Sequence, residues 1–304
     1  MKSPVLGRAI EGISYVAYSA AWKLVAALPE ERAYALFAKL GDWLYHRDGS
    51  GAERLRSNYR RIHPEMEYQA MEDLVREGMR SYMRYWCDTF RIHKWDQERI
   101  LSTVVVENEN FLRDPIAEGR GVIVSLPHAG NWDHAGAYFC ETGVPLVTVA
   151  EHLKPEKLFQ KFLAHRTRMG FEVLDANARS MATLSQRLRN NRLVALVADR
   201  DLSRSGSPVT FFDGPARMPV GPALLSIQTG APLITAYVSY EGAGIRIIFG
   251  PEIKVPSKGT NQEKVASMIQ STADWFATQL RARTVDWHML QRIWVDGDFK
   301  ERPE

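Results

Sequence analysis

Apolar residues recur at helical spacing through the first third of the chain. Val5, Ala9 and Ile13, for example, are each four positions apart. Apolar residues at this spacing form one face of an amphipathic helix. The pattern therefore predicts a helical N-terminal part over residues 1–102, in which a fourth helix runs from about residue 68 to residue 90.

Beyond residue 102, short β-rich runs alternate with amphipathic segments. The eight runs are Val104–Val106, Val122–Leu126, Leu146–Val149, Phe171–Leu174, Leu193–Ala198, Val209–Phe212, Leu233–Tyr240 and Ile245–Phe249. Strands that alternate with helices are typical of a mostly parallel sheet with helices on both faces. We predict an α/β fold in one domain, 1–304, whose core is 103–304. The last two runs are predicted to form an antiparallel hairpin.

Charge and cysteine content argue against a nucleic-acid-binding protein and against a disulfide-rich one. The 304 residues carry a formal net charge of +3, an excess too small to indicate nucleic-acid binding, although it suits an anionic membrane surface or a phosphorylated substrate. The two cysteines, Cys87 and Cys140, form neither a disulfide framework nor a metal-like spacing. We expect no signal peptide, and the longest uncharged N-terminal run, Gly12–Trp22, is too short to span a bilayer.

Aromatic and arginine side chains are frequent in the N-terminal helices, and they allow two interpretations. The aromatic residues suit either a lipid interface or the core of a helical layer, and the arginines either a solvated face or a lipid-binding patch. The residues concerned are Trp22, Trp43, Tyr45, Tyr59, Tyr82, Tyr85, Trp86, Arg54, Arg56, Arg60 and Arg61.

A histidine and an aspartate follow the predicted strand Val122–Leu126. His128 lies outside the next helix, Asn131 is suited to cap that helix, and Asp133 falls in its first turn. Active sites of α/β proteins lie at the carboxyl ends of strands, so the pair suits general base catalysis. The alternative is a purely structural histidine.

A second charged cluster, Asp199-Arg200-Asp201, follows the strand Leu193–Ala198 at the same predicted edge. Isolated buried charges are costly, so three explanations compete: a mutual ion pair, a carboxylate directed at His128, or a metal site through Asp199 and Asp201. No further histidine–carboxylate group reinforces the metal site.

Several catalytic motifs are absent from the sequence, among them the Gly-x-Ser-x-Gly elbow and the glycine-rich nucleotide loops. The segment Ser203–Ser207 combines hydroxyl groups, glycine and arginine and suits a phosphate group, or it is a mobile surface loop. A general base acting on an external nucleophile remains.

These motifs resemble a known family. The segment His128-Ala-Gly-Asn-Trp-Asp133 resembles the His-x4-Asp motif of glycerophospholipid-type acyltransferases, and residues 211–223 with Thr229–Pro232 resemble the bacterial branch that includes the lipid A acyltransferases. Within that branch the similarity is closest to the actinobacterial phosphatidylinositol mannoside acyltransferases. Further similar segments are Glu151–Glu156, Arg187–Arg192 and Asp286–Gln291.

The resemblance implies an acyl-CoA-dependent O-acyltransferase. It would move palmitoyl from palmitoyl-CoA, its co-substrate, to the 6-position of mannose in a phosphatidylinositol mono- or dimannoside, without a metal or other cofactor. It would act as a peripheral protein on the cytoplasmic face of the plasma membrane, held there by its N-terminal helical part. The alternatives are another glycolipid acceptor such as lipid A, a metal-dependent glycosyltransferase, and a non-catalytic lipid-binding protein.

The resemblance also assigns roles to residues. His128 matches the catalytic histidine, Asp133 the motif aspartate, and Asp199 a position where relatives usually carry a glutamate that pairs with the histidine. Aspartate is shorter by one methylene, about 1.5 Å, so the pairing requires a closer backbone or a bridging water, or it is weaker. The residues expected to contact acyl-CoA are Arg166, Ser205 and Gln228, and those expected near the acceptor are Glu151 and Arg200.

Overall fold

The computed structural model describes residues 18–150, 156–176, 179–201 and 205–296. Its N-terminal part is helical, as the sequence predicts. Helix α1 is described over residues 18–27. The helices that follow are α2 (Glu30–His46), α3 (Ser50–Ile62), α4 (Tyr68–Arg91) and α5 (Gln97–Ser102).

A seven-stranded sheet forms the centre of the α/β part. Its strands are β1 (Val104–Glu107), β2 (Val122–Leu126), β3 (Leu146–Ala150), β4 (Glu172–Asp175), β5 (Leu193–Val197), β8 (Leu233–Glu241) and β9 (Gly244–Phe249). Their spatial order is β1-β9-β8-β2-β5-β3-β4. Among these described strands every neighbouring pair is parallel except the β8–β9 hairpin. The mostly parallel sheet and its antiparallel hairpin are confirmed.

The run Val209–Phe212 was predicted as one more strand of this sheet, and that prediction is wrong. It lies in β6 (Ser207–Phe211), which pairs with β7 (Gly214–Met218) in a separate antiparallel hairpin. Phe212 and Asp213 form its turn with positive φ angles of 47° and 57°, which match the twist that two-residue hairpins prefer. Buried and exposed residues alternate along β6, as in a sheet with one solvated face.

Helices cover both faces of the central sheet. The helices on one face are α6 (Asn110–Ala117), α7 (Trp132–Glu141) and α8 (Glu156–Arg168), and those on the other are α9 (Ser180–Arg189), α10 (Gly221–Thr229) and α11 (Asn261–Ala282). All five residues of β2 are buried, because a central parallel strand is covered on both sides. The loop that follows β2 therefore starts from a fixed position at the carboxyl edge of the sheet.

The N-terminal helices form a layer beside this core. Helix α2 packs closely on α4, since a Cβ atom at Gly41 would lie 2.9 Å from the Cα atom of Arg80. Most of the aromatic residues considered above belong to this packing: Trp22, Tyr59 and Tyr85 are buried, whereas Trp43 is 53% exposed.

Some of the basic residues are likewise accounted for by local contacts. Arg56 pairs with Glu72 at 2.6 Å, and Arg61 pairs with Asp296 at 2.6 Å. Along the described part of the chain, no helix combines the length and the apolar character that crossing a bilayer requires.

Stability toward acid is predicted to depend on His165 of α8. This side chain is buried against the ring of Trp22 at 5.2 Å, and burial lowers its pKa to about 4. The imidazole of the unfolded chain has a pKa near 6.5, so it binds a proton at pH values at which the imidazole of the folded protein stays neutral. Stability is therefore lost as the pH falls from about 6.5 to about 4, and His165→Phe should reduce that loss by about 1–3 kcal/mol.

Urea unfolding at pH 7 and at pH 4.5 measures this difference. The matched control is His46→Gln at an exposed histidine, which should leave the pH dependence of the unfolding free energy unchanged. An equal loss in His165→Phe and in the wild type would contradict the prediction.

Candidate active site

The loop of residues 127–131 carries His128 from the end of β2 to the start of α7. Asn131 caps α7 as predicted, because its side-chain oxygen accepts a hydrogen bond from the His134 N–H at 2.9 Å. Gly130 has a φ of +58°, and a Cβ atom there would lie 2.5 Å from the Val238 carbonyl oxygen. Only glycine fits this close approach to β8 without strain.

A C-terminal segment, residues 284–289, holds the same loop from the other side. The Gly130 N–H donates to the Asp286 carbonyl at 2.9 Å, and the His288 N–H donates to the His128 carbonyl at 2.8 Å. The backbone on both sides of the His128 side chain is thus fixed by strands and by this segment rather than by the loop alone.

His128 is in direct contact with Asp199. Its Nδ1 lies 2.6 Å from Oδ1 of Asp199, and since a carboxylate only accepts, Nδ1 carries the proton and Nε2 is left as the basic nitrogen. Oδ2 of Asp199 accepts from the His128 backbone N–H at 3.0 Å and from Nε1 of Trp287 at 2.9 Å. The short aspartate needs no bridging water, because it follows β5, the neighbour of β2.

Burial and charge differ sharply between these two partners. The Asp199 side chain is 0% exposed, whereas that of His128 is 38% exposed. Burial raises the pKa of the Asp199 carboxyl, but attraction to the protonated form of His128 and the hydrogen bonds from His128 and Trp287 outweigh burial, so the pKa lies below its usual value. The ionised carboxylate of Asp199 therefore contacts the buried side of an imidazole, that of His128, which is otherwise accessible.

The carboxylate of Asp133 is hydrogen-bonded to Arg166 and Tyr85, although the spacing of the motif suggested that it pairs with His128. Its Oδ1 accepts from Nε of Arg166 at 2.8 Å, and its Oδ2 accepts from the Tyr85 hydroxyl at 3.1 Å. The carboxylate that orients His128 is Asp199, and Asp133 instead fixes the guanidinium of Arg166.

A cavity of about 440 Å³ opens from His128 along one face of the sheet. Its walls come mainly from apolar side chains of β2, β3, β5, α7 and α8, while His128, Arg166 and Arg200 are among its polar lining residues. Leu193, which also lines it, lies four residues before Val197 on β5, a depth of about 13 Å. The arrangement suits a long apolar group whose reactive end lies at the imidazole.

The residues expected to bind substrates are distributed unevenly. Arg166 and Arg200 line the cavity. Ser205 is exposed just before β6, and Gln228 is exposed near the end of α10. Because α10 leads into the start of β8, which is parallel to β2, Gln228 lies at the sheet edge opposite His128. Glu151 lies outside the described residues.

The geometry does not favour a metal site through Asp199 and Asp201. Both oxygens of Asp199 already accept hydrogen bonds from His128 and Trp287. Within the ranges that the structure describes, no three histidine, cysteine, aspartate or glutamate side chains are grouped to hold a metal ion.

Two residues of the site have no signal of their own in the sequence. Trp287 is separated from Asp199 by 88 positions, and Tyr85 is separated from Asp133 by 48. Neither contact follows from a local pattern. Trp287 appeared only within a segment of family resemblance, and Tyr85 only among aromatic residues whose place was open.

Comparison with known proteins identifies the family. The chain matches the bacterial lipid A biosynthesis acyltransferase family over residues 7–296. A phosphatidylinositol mannoside acyltransferase of Mycolicibacterium smegmatis is 38% identical over 293 residues, which cover 95% of this chain and 94% of that protein. A protein of the same name from Mycobacterium tuberculosis is 39% identical over 290 residues, which cover 94% of this chain and 89% of that protein. The resemblance seen in the motifs is confirmed, and the chain belongs to the bacterial lipid A biosynthesis acyltransferase family.

Proposed function

We propose that this protein transfers palmitoyl from palmitoyl-CoA to the 6-hydroxyl of mannose in a phosphatidylinositol mono- or dimannoside. The observation that carries the proposal is the direct contact between buried Asp199 and accessible His128, which lines an apolar cavity. The two mycobacterial relatives support the choice of acceptor, since both are phosphatidylinositol mannoside acyltransferases.

His128 is the general base of the proposed reaction. Its Nε2 removes the proton of the mannose hydroxyl while that oxygen attacks the thioester carbonyl carbon, a contribution of about 10²–10⁴-fold in rate. Asp199 orients the imidazole and stabilises its cationic form. When the tetrahedral intermediate collapses, the carbon–sulfur bond breaks and His128 returns the proton to the CoA thiolate.

The oxyanion of that intermediate requires hydrogen-bond donors. The Gly130 N–H is already engaged by the Asp286 carbonyl. The first turn of a helix leaves N–H groups without acceptors inside the helix, so we assign this role to Trp132 and Asp133 at the start of α7.

The remaining assignments follow the cavity and the family resemblance. The acyl chain occupies the apolar cavity, and Arg166 and Ser205 contact acyl-CoA, whereas the place of Gln228 at the opposite edge of the sheet does not favour such a contact. Glu151 and Arg200 contact the acceptor. The proposed reaction needs no metal or other cofactor, with acyl-CoA as co-substrate, and it takes place at the cytoplasmic face of the plasma membrane, where a peripheral protein meets its lipid.

The proposal is tested with the purified protein, palmitoyl-CoA and a panel of detergent-dispersed glycolipids that includes phosphatidylinositol mannosides and lipid A precursors. Mass spectrometry of the products and release of free CoA give the readout. We expect one added palmitoyl group on the mannosides. Transfer to lipid A precursors alone would overturn the acceptor, and CoA release that depends on a divalent cation would overturn the mechanism.

Replacement of His128 tests its role as the base. His128→Ala removes the proton acceptor from a half-exposed position, so the fold should persist while kcat falls by about 10²–10⁴-fold. The matched control is His46→Ala at an exposed histidine of α2, which should keep wild-type turnover. Near-wild-type turnover of His128→Ala would end this assignment.

Replacement of Asp199 by asparagine tests its charge separately from its shape. An amide cannot stabilise the imidazolium and presents a donor to Nδ1, which forces the wrong tautomer of His128. We expect kcat to fall by about 10⁴-fold, the size of this effect in a serine-protease triad. The control is Asp175→Asn, at an exposed aspartate that ends β4, and equal turnover of the two variants would contradict the prediction.

The cavity predicts a dependence on acyl-chain length. Ala195 lines it two residues before Val197 on β5, about 7 Å deeper. Ala195→Leu places new atoms in the path of a long chain, at a cost of about 1–3 kcal/mol for overpacking. The ratio of palmitoyl to octanoyl transfer should therefore fall about tenfold or more in a competition assay. The control, Val194→Ile, enlarges the adjacent residue in the core on the other face of the sheet, and it should leave the ratio unchanged. An unchanged ratio in Ala195→Leu would refute the assignment of the cavity to the acyl chain.

A further inference from the structure

One face of helix α4 carries three polar side chains that meet the active-site loop, residues 127–131, or its direct neighbours. Ser81, Tyr85 and Asp88 follow one another at intervals of four and three residues, so they lie on one side of the helix. All three are buried, and Asp88 is only 2% exposed. Buried polar groups are costly unless they are hydrogen-bonded, so the partners of these side chains indicate what they do.

The partners all belong to the catalytic edge of the sheet. The Ser81 hydroxyl donates to Oδ1 of Asp286 at 2.6 Å, and the backbone of Asp286 in turn binds the active-site loop. The Tyr85 hydroxyl bonds Asp133 in the first turn of α7. Asp88, the carboxyl group of this face, contacts the residue that caps α7.

Three donors converge on the Asp88 carboxyl group. Its Oδ1 accepts from the Tyr34 hydroxyl of α2 at 2.5 Å. Its Oδ2 accepts from Nδ2 of Asn131 at 3.1 Å and from the Tyr240 hydroxyl of β8 at 3.2 Å. The carboxyl group therefore joins α2, α4, β8 and the active-site loop at one buried point.

The two ends of the Asn131 amide have different tasks. Its Oδ1 must face the His134 N–H to cap α7, because only the oxygen of the amide accepts. Its Nδ2 then points into the interior, where Asn131 is 1% exposed, and needs an acceptor. Asp88 supplies that acceptor, so the contact selects the orientation of the amide that caps the helix.

The protonation state of Asp88 leaves this contact intact. Burial raises the pKa of its carboxyl group above the usual value, although its three hydrogen-bond donors and the charge of Arg84 lower it. In the neutral acid a proton on Oδ1 is donated to the oxygen of Tyr34, and Oδ2 still accepts from Asn131.

We propose that Asp88 is a positioning residue for acyl transfer. It fixes the amide of Asn131, the amide fixes the first turn of α7, and that turn presents the N–H groups of Trp132 and Asp133 to the oxyanion. This inference rests on the proposed function, because the oxyanion arises only in that reaction. A displacement of about 1 Å at such donors costs about 10²-fold in rate.

Removal of the acceptor gives the first test. Asp88→Ala leaves Nδ2 of Asn131 without its partner, so the amide turns and releases the His134 N–H. We expect kcat to fall about 10²-fold, while the KM for palmitoyl-CoA stays near its wild-type value because the cavity is unchanged. The control is Asp73→Ala, at an exposed aspartate of the same helix, which should keep wild-type kcat. A folded Asp88→Ala protein with wild-type kcat, or a loss confined to KM, would overturn the proposal.

An exchange of the two side chains tests the contact even where Asp88→Ala does not fold. Asn131→Asp keeps an acceptor for the cap, and aspartate caps helices about as well as asparagine, but two carboxyl groups then face each other and repel when both are ionised. Assays at alkaline pH keep a shared proton from relieving that repulsion. We expect kcat of this variant to fall about 10²-fold. Adding Asp88→Asn restores one donor and one acceptor with the direction reversed, so the double variant should recover most of the loss. A double variant that recovers nothing would refute the pairing.

Hydrogen exchange at the start of α7 separates this inference from the proposed function. Deuterium uptake by residues 132–134 of the full chain, read by mass spectrometry, reports on the cap without any substrate. Uptake should be faster in Asp88→Ala and in Asn131→Asp than in the wild type, and it should return to the wild-type rate in the double variant. If the wild type transfers no palmitoyl while uptake follows this order, the contact still fixes the turn and only the proposed function fails. If transfer occurs and uptake is the same in all variants, Asp88 does not position the turn.

Discussion

The structure depends on one buried charge, the carboxylate of Asp199. An ionised group without access to water is costly unless it is hydrogen-bonded, and here three donors, two from His128 and one from Trp287, compensate for that cost. Hydrogen bonds to an ionised group are stronger than neutral ones. The same bonds that keep the carboxylate charged also fix the tautomer of His128, so stability and chemistry have a common origin.

Three parts of the chain that are distant in sequence must meet to form the hydrogen bonds around Asp199. The ends of β2 and β5 supply His128 and Asp199, and the segment 284–289 supplies Trp287 and binds the loop backbone. The parallel pairing of β2 with β5 sets the first approach, and the C-terminal segment completes it. The cavity for an apolar group then lies between the sheet and α7 and α8, with the imidazole among its lining residues.

The N-terminal helices present two different faces. Their inner faces extend the core, where Trp22 and Tyr85 are buried, and Tyr85 bonds Asp133. Their outer face keeps Trp43 exposed between basic residues. The aromatic residues that the sequence left open are thus divided between a core and a surface by the side of the helix on which they lie.

Periodicity and caps in the sequence determined the sheet class, most strand positions and the cap at Asn131, because these are set by residues within a few positions of one another. The sequence allows three explanations for the charged segment 199–201, and the resemblance to the acyltransferase family favours the pairing of Asp199 with His128. Only the tertiary structure decided that Asp133 pairs with Arg166 and that Trp287 donates a hydrogen bond to Asp199. The same is true of residues 207–218, which form a hairpin separate from the main sheet. These outcomes depend on contacts across tens to hundreds of positions, where local spacing carries no information.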